Sequence, residues 1–199
     1  MNRQRVRCAI VFADNAHLSQ QRKSGEPFIT HPLLVATLVA ELGGSEDDVI
    51  AALLHDTVED NANVRHADIA VAWGSQVMQR VEVLTKDYQY PPQARLYDAH
   101  GRLIQALATL GRGPALIKIA DRCHNSATSQ HLPSRKLEQL VFENQLLFSP
   151  LAHMVGAHGL AKYLANEPRD WWRAASEFIT EMRAVQAPLP DCESASLSP

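Results

Sequence analysis

Apolar residues return every three or four positions along this chain, and the two-residue alternation of a strand is nearly absent. Val6, Ile10, Ala13 and His17 keep helical spacing until "RKSGEP" (residues 22–27) breaks it. Pro32 suits a helix start, "LLVATLVAEL" follows, and Gly43 with Gly44 ends the run. Ser45 is a good N-cap, and Glu46, Asp47 and Asp48 place carboxylates at the positive end of the next helix dipole. That helix carries residues 51–55. The same periodicity predicts helices over 66–73, 76–86, 93–110, 114–128, 134–148 and 171–185. No repeat of fixed period and no internal boundary is visible, so the expected fold is all-α, one compact domain over residues 1–186. The Pro/Ser-rich stretch 187–199, "APLPDCESASLSP", is expected to be a disordered tail.

A chain of 199 residues can bury a substantial core in one domain. Its 46% hydrophobic and 21% charged residues are ordinary for a soluble globular protein. A formal net charge of −3 gives no basic footprint, so neither nucleic acid nor an anionic membrane is an expected partner. The apolar run in "MNRQRVRCAIVF" is too short for a signal peptide and has no small-residue cleavage site. The longest stretch without Asp, Glu, Lys or Arg, residues 144–161, contains Asn, Gln, Ser, Pro and two His, which argues against a membrane span. Cys8, Cys123 and Cys192 form neither a CxxC pair nor an even framework, which fits the reducing cytoplasm.

The chemistry concentrates in "ALLHDTVED" (residues 52–60), where His55, Asp56, Glu59 and Asp60 follow an apolar run. If the helix persists, positions four apart share a face, with His55 under Glu59 and Asp56 under Asp60. Imidazole with carboxylate suits a borderline or moderately hard divalent ion, but two adjacent ligands leave a site incomplete. His31 sits just before Pro32 at a helix entrance. Asp121 lies in "ALIKIADRCHN", inside an apolar helix where a lone ionised carboxylate would be costly to bury. A metal would remove that cost. Spacing alone is equally consistent with a chance His-Asp pair at a helix junction.

Four segments then occur in order: "RKSGEPFITHP" (22–32), "AALLHDTVED" (51–60), "IKIADRCHN" (117–125) and "SPLAHMVG" (149–156). Together they resemble the hydrolase half of the RelA/SpoT alarmone enzymes, a branch of the HD-domain metal phosphohydrolases. The resemblance runs over most of the chain and is similar in extent to the small stand-alone alarmone hydrolases of the Mesh type. It implies an HD-domain helical bundle in which His31, His55, Asp56 and Asp121 ligate one Mn²⁺. Glu59 and Asp60 match the catalytic acidic pair that positions or deprotonates the attacking water. The implied reaction removes pyrophosphate from the 3′ position of (p)ppGpp, giving GDP or GTP, so the implied partner is a small phosphorylated nucleotide. Arg22, Lys23 and Ser24 match a nucleotide-contacting loop, in which an Arg plane can stack on a base and Lys can meet phosphate. Asn125 and Thr128 share a helical face with Asp121 and resemble substrate contacts. Lys118, one turn before Asp121, could hold that carboxylate or a phosphate. A homo-oligomer is left open.

Other residues read more blandly. His17 and His153 sit in apolar patterns and are expected to pack or to support the ligands from behind. His66, His100, His131 and His158 have no partner spacing, and His124 points about 100° away from Asn125 on a helix. Cys123 is expected in the core, and Trp171 and Trp172, with Phe178, are expected to dock a C-terminal helix. Two departures from the family bear on specificity. Ser126-Ala127 stands where Met-Arg is common, and "DYQYPPQ" (87–93) replaces a connection usually containing glycine and lysine. They keep open (p)ppApp, including an antitoxin role against an alarmone synthetase, and NADPH. A non-catalytic nucleotide-binding module is the remaining alternative, although such relatives normally lose a metal ligand or the acidic pair.

Overall fold

The computed structural model describes residues 1–173, and the expected tail, Phe178 and the rest of the helix expected from residue 171 lie outside the described residues. The described chain is helical, with no strand beyond one isolated bridge between Gln21 and Pro27. Its first half contains α1 (Arg3–Ala16), α2 (Thr30–Glu41), α3 (Glu46–Leu54), α4 (Thr57–Asp60), α5 (His66–Trp73) and α6 (Ser75–Leu84). The second half contains α7 (Pro92–Thr109), α8 (Gly113–Ala127), α9 (Ser134–Glu143), α10 (Ser149–Met154) and α11 (His158–Ala165). A π-helical turn, Asn144–Phe148, joins α9 to α10, so the helix expected over 134–148 changes pitch in its last third. Helix α2 begins two residues before Pro32, which takes the third helical position; an N–H is dispensable there because first-turn amides have no intrahelical acceptor.

The core is built on α3 and α8, both packed against α2 and α6. From Val49 to Leu54 every residue of α3 is buried. A helix apolar on all sides belongs at the centre of a bundle, and each fully buried Ile or Leu there contributes about 1.5–3 kcal/mol. Helix α8 adds Leu116, Ile117, Ile119 and Ala120, all fully buried.

A buried ion pair fixes the entry of α3. Asp48 Oδ2 accepts from the Ser45 N–H at 2.8 Å and the Ser45 hydroxyl at 2.7 Å, closing the expected cap into a reciprocal box. Its Oδ1 accepts from Arg80 Nε of α6 at 2.7 Å. Gly113, the first residue of α8, packs directly on this carboxylate. Three helices therefore meet at one charge.

Helix α3 does not run on through the acidic cluster. The Thr57 hydroxyl donates to the Leu54 carbonyl at 2.7 Å, and His55 Nδ1 lies 2.8 Å from the Ala52 carbonyl. Side chains thus engage carbonyls that a continuing helix would use, and α4 starts afresh at Thr57.

Two glycine substitutions test this packing in opposite directions. A Cβ on Gly113 would lie 1.8 Å from Asp48 Oδ1, so Gly113→Ala must displace the buried pair. The expected cost is about 3 kcal/mol or more, read from urea denaturation. Gly101, inside α7, has nothing within 4 Å of its added Cβ. Gly101→Ala should therefore stabilise by about 0.5–1 kcal/mol. Equal stability of the two variants would contradict the packing described.

Candidate metal centre and adjoining cavity

Three core helices deliver the cluster. His31 comes from the first turn of α2, His55 from the end of α3, Asp56 from the turn that follows, and Asp121 from the middle of α8. One ligand atom from each of His31, His55 and Asp56 lies within 4.8 Å of the others. His31 Nε2 is 3.4 Å from Asp56 Oδ2 and 3.3 Å from Asp121 Oδ1, and His55 Nε2 is 3.2 Å from Asp56 Oδ2. His31, His55 and Asp121 are buried. The structure therefore brings together all four residues singled out as ligands.

The donors fit a divalent cation on a specific observation. His55 Nδ1 faces the Ala52 carbonyl, which can only accept, so that nitrogen carries the proton. Its Nε2 is then the nitrogen that can offer a lone pair to a cation, buried and without a hydrogen bond although 3.2 Å from the Asp56 carboxylate. Buried polar atoms are rarely left so, and two imidazoles with two carboxylates are a ligand set suited to such an ion. In the protein alone the charges must balance otherwise. Burial opposes ionisation of Asp56, yet His55 and His31 hold its carboxyl well below the usual range. Burial likewise opposes the charge on Asp121, and Lys118, His31 and His55 overcome it. Burial lowers the pKa of His55, but Asp56 and Asp121 outweigh it and raise it to about 9.

Glu59 and Asp60 lie on α4, one turn beyond the ligands. Glu59 Oε1 accepts from Lys86 Nζ at 2.5 Å and from the Tyr88 hydroxyl at 2.7 Å, and Oε2 lies 3.3 Å from the Lys86 N–H. Arg95 covers the Tyr88 ring, 4.7 Å from its centroid. Lys86 and Tyr88 were not assigned from sequence; the only signal was the unusual segment after "LTK". The Asp60 carboxyl is raised from its ordinary value, first by burial and then by Asp56 and Glu59.

A cavity of roughly 370 Å³ opens between the loop before α2 and the end of α8, lined by Arg22, Lys23, Ser24, Asn125 and Thr128 among others. Gly25, at φ 95°, and the hydrogen bond from the Arg22 N–H to the Glu26 carbonyl shape that loop. Arg22 donates to Asn125 Oδ1 at 2.8 Å, and Asn125 Nδ2 donates to Asp121 Oδ1 at 2.6 Å. Lys118 donates to the other Asp121 oxygen at 2.8 Å, so of its two expected options it takes the carboxylate.

The histidine reading needs two corrections. The 100° rotation from Asn125 turns His124 towards the cluster, where its Nδ1 lies 2.7 Å from His31 Nδ1. Burial, His31 and Arg22 together push the His124 pKa down to about 3. His153 does not back the ligands; it is exposed, 3.2 Å from His158. His17 is buried and stacks on Phe28 with ring centroids 4.3 Å apart, as a packing role requires. His66 meets Thr85, His100 packs on Phe148, and His131 is exposed. Cys123 is buried in the core. Trp171 is buried and donates to the Tyr163 carbonyl at 2.7 Å, while Trp172 reaches Ser129 at 3.1 Å. No described helix is long and apolar enough to cross a membrane.

The family described as "HD domain" matches residues 9–158. A Mycobacterium leprae protein named probable GTP pyrophosphokinase is 41% identical over 155 residues, 76% of this chain and 19% of its own length. An Aquifex aeolicus guanosine-3′,5′-bis(diphosphate) 3′-pyrophosphohydrolase is 36% identical over 166 residues, 83% of this chain and 23% of its own. The chain thus spans about a fifth of the length of these curated relatives. A solved structure described as a metazoan SpoT ortholog that hydrolyses ppGpp shares the fold at 21% identity and a TM-score of 0.59, covering 92% of this chain and 97% of that one. By its match over residues 9–158 and its His/Asp cluster, the chain belongs to the HD-domain family.

Proposed function

We propose that this protein is a Mn²⁺-dependent phosphohydrolase that removes the 3′-pyrophosphate of (p)ppGpp, releasing GDP or GTP. The observation that carries the reading is the chain of hydrogen bonds Arg22–Asn125–Asp121, at 2.8 and 2.6 Å. It ties the cavity wall to a cluster carboxylate, so a nucleotide held by the loop would sit with a phosphate beside the His/Asp cluster. His31, His55, Asp56 and Asp121 would hold the cation. When bound, it supplies neutralised phosphate charge and a more acidic water.

This chain's own groups do the rest. Glu59, held by Lys86 and Tyr88, orients the water that attacks the phosphorus next to the 3′ oxygen. Asp60, with its raised carboxyl, takes the water proton and can return it to the departing 3′ oxygen. Lys118 keeps Asp121 ionised and Asn125 holds its orientation. Arg22 and Lys23 receive the base and the remaining phosphates. Of the two kinds of name among the relatives, synthetic and hydrolytic, an acidic pair beside a His/Asp cluster favours the hydrolytic one. The exposed Cys8 and buried Cys123, both unpaired, fit work in the reducing cytoplasm.

Purified protein with Mn²⁺ should release pyrophosphate from ppGpp faster than it acts on ppApp or NADPH, resolved by ion-exchange chromatography. Excess chelator should abolish turnover. Glu59→Gln should keep the metal while kcat falls by about 10²-fold or more, whereas His55→Ala should lose the metal itself. Wild-type turnover by Glu59→Gln would remove the acidic pair from the mechanism.

Arg22→Ala with Lys23→Ala tests the cavity. Stacking and charge contacts of about 1–3 kcal/mol predict KM for ppGpp raised about five- to 150-fold, with a smaller change in kcat and unchanged Mn²⁺ stoichiometry. An unchanged KM would make the loop an ordinary solvated turn.

Stability against pH tests the cluster without substrate. The His55 pKa, about 9 when folded and about 6.5 when unfolded, contributes stability in full below pH 6.5 that is lost as pH rises through 9. Asp56 and Asp121, held low, contribute above the usual carboxylate range and lose that stability in acid. Metal-free protein should therefore weaken from pH 6.5 to 9, by an amount on the order of a few kcal/mol. Stabilisation by Mn²⁺ should grow over the same window, since ligation needs neutral His55. Urea unfolding at pH 6, 7.5 and 8.5 checks both; a metal-free protein equally stable at all three contradicts the charge balance.

A further inference from the structure

His31 and His124 face each other Nδ1 to Nδ1 at 2.7 Å, with ring centroids 4.9 Å apart and planes inclined by 25°. Two ring nitrogens this close need one N–H and one lone pair; two of either kind repel. The other nitrogen of His31, Nε2, faces the carboxylates of Asp121 and Asp56 at 3.3 and 3.4 Å. It can ligate a cation only through a free lone pair, so the His31 proton must then sit on Nδ1. The acceptor of that proton is His124 Nδ1, which places the proton of His124 on its own Nε2.

We infer that His124 is a positioning residue for the metal: it accepts the His31 Nδ1–H, and so fixes the tautomer and ring orientation that aim His31 Nε2 into the cluster. The proposal rests on the metal reading of the site and not on the identity of the nucleotide. The second imidazole of the cluster shows the same device with a different acceptor. His55 Nδ1 lies 2.8 Å from the Ala52 carbonyl of its own helix. His31 stands in the first turn of α2, and its acceptor arrives from another helix. That acceptor is three residues after Asp121 on α8, so one helix supplies both a ligand and the support of a ligand from a different helix. His124 is buried, 7% exposed, which keeps water from replacing it cheaply. Partners of this kind are worth about 10–100-fold in metal affinity.

Two substitutions separate an acceptor from a space-filler. His124→Phe keeps a ring and removes the acceptor, whereas His124→Asn puts an amide oxygen close to where Nδ1 was. Metal-free protein is titrated with Mn²⁺ and followed by water-proton relaxation, with circular dichroism to verify folding. The expected Kd for Mn²⁺ rises about 10–100-fold in His124→Phe and returns to within about fivefold of wild type in His124→Asn. A folded His124→Phe that binds Mn²⁺ as wild type does overturns the inference, and so does a folded His124→Asn as weak as the Phe variant. Should the Phe variant not fold, the wild type still decides. With Zn²⁺ bound as a diamagnetic probe, long-range ¹H–¹⁵N spectra of the imidazoles should show His31 protonated at Nδ1 and His124 at Nε2. The reverse assignment overturns it. Failure of wild-type protein to bind either cation is a separate result, and it would sink the metal reading along with this one.

Discussion

A charge held inside an apolar helix organises this molecule. Asp121 sits in the middle of α8, between Ile119, Ala120 and Cys123, all buried. An uncompensated carboxylate there would cost several kcal/mol, so each of its oxygens is engaged. Lys118 takes one oxygen from three residues earlier, Asn125 takes the other from four residues later, and His31 approaches that second oxygen from α2. Those partners have partners in turn. Asn125 holds Arg22, and His31 is held by His124. The cluster and the cavity wall are thus one network with its centre on α8, the helix that also fills the core.

The residues proposed for the cation and those proposed for the nucleotide and the water sit on different parts of the scaffold. Metal ligation tolerates little displacement, and the four residues proposed for it come from α2, the end of α3, the turn after it, and α8, all within or beside the core. The groups assigned to the nucleotide and the water sit further out. Arg22, Lys23 and Ser24 belong to a loop closed by its own backbone bonds. Glu59 is steadied from a second loop, through Lys86 and Tyr88, rather than from the core. A scaffold that fixes the cation and leaves recognition to loops can change substrate without rebuilding its centre.

Long amphipathic helices were legible in the sequence because their periodicity extends over several turns: α5 matches its expected span, and α6, α7 and α8 begin one residue early and end one or two residues early. Short ones were not. Helices α4 and α10 have four and six residues, too few for a period to stand out, and α11, no longer than α5, lies in a stretch of small and polar residues. Whether α3 persists through the acidic cluster is not legible in the sequence, because its break depends on the side chains of His55 and Thr57 reaching backward, a competition that spacing does not display. Likewise the spacing of His124 from Asn125 on its own helix does not reveal its partner, His31, which lies 93 positions earlier in the chain. Tyr88 meets Glu59 across 29 positions, a contact no local pattern encodes.

The two departures from the family differ in their structural weight. Ser126, in place of the usual Met, is fully buried and does not line the cavity. Its hydroxyl donates to the Arg122 carbonyl at 2.9 Å and accepts from Asn144 Nδ2 at 2.9 Å. Arg122 closes the circuit, donating to Asn144 Oδ1 at 2.5 Å and to Glu143 at 2.6 Å, with its guanidinium 4.6 Å from the Phe148 ring centroid. The Met-to-Ser change is therefore absorbed by a polar network that fastens α8 to the π-helical turn behind it, away from the cavity. Ala127 removes a guanidinium outright, and Asn125 and Thr128, which line the cavity from the end of α8, are neutral. Positive charge at the cavity then falls to Arg22 and Lys23 on the opposite wall. The second departure works at the other end of the site, where "DYQYPPQ" brings the Tyr88 hydroxyl and the Arg95-covered ring onto Glu59. One departure leaves Arg22 and Lys23 as the cations lining the cavity, while the other adds a neutral donor to Glu59. Both departures therefore bear on the cavity wall and on Glu59, and neither falls on His31, His55, Asp56 or Asp121.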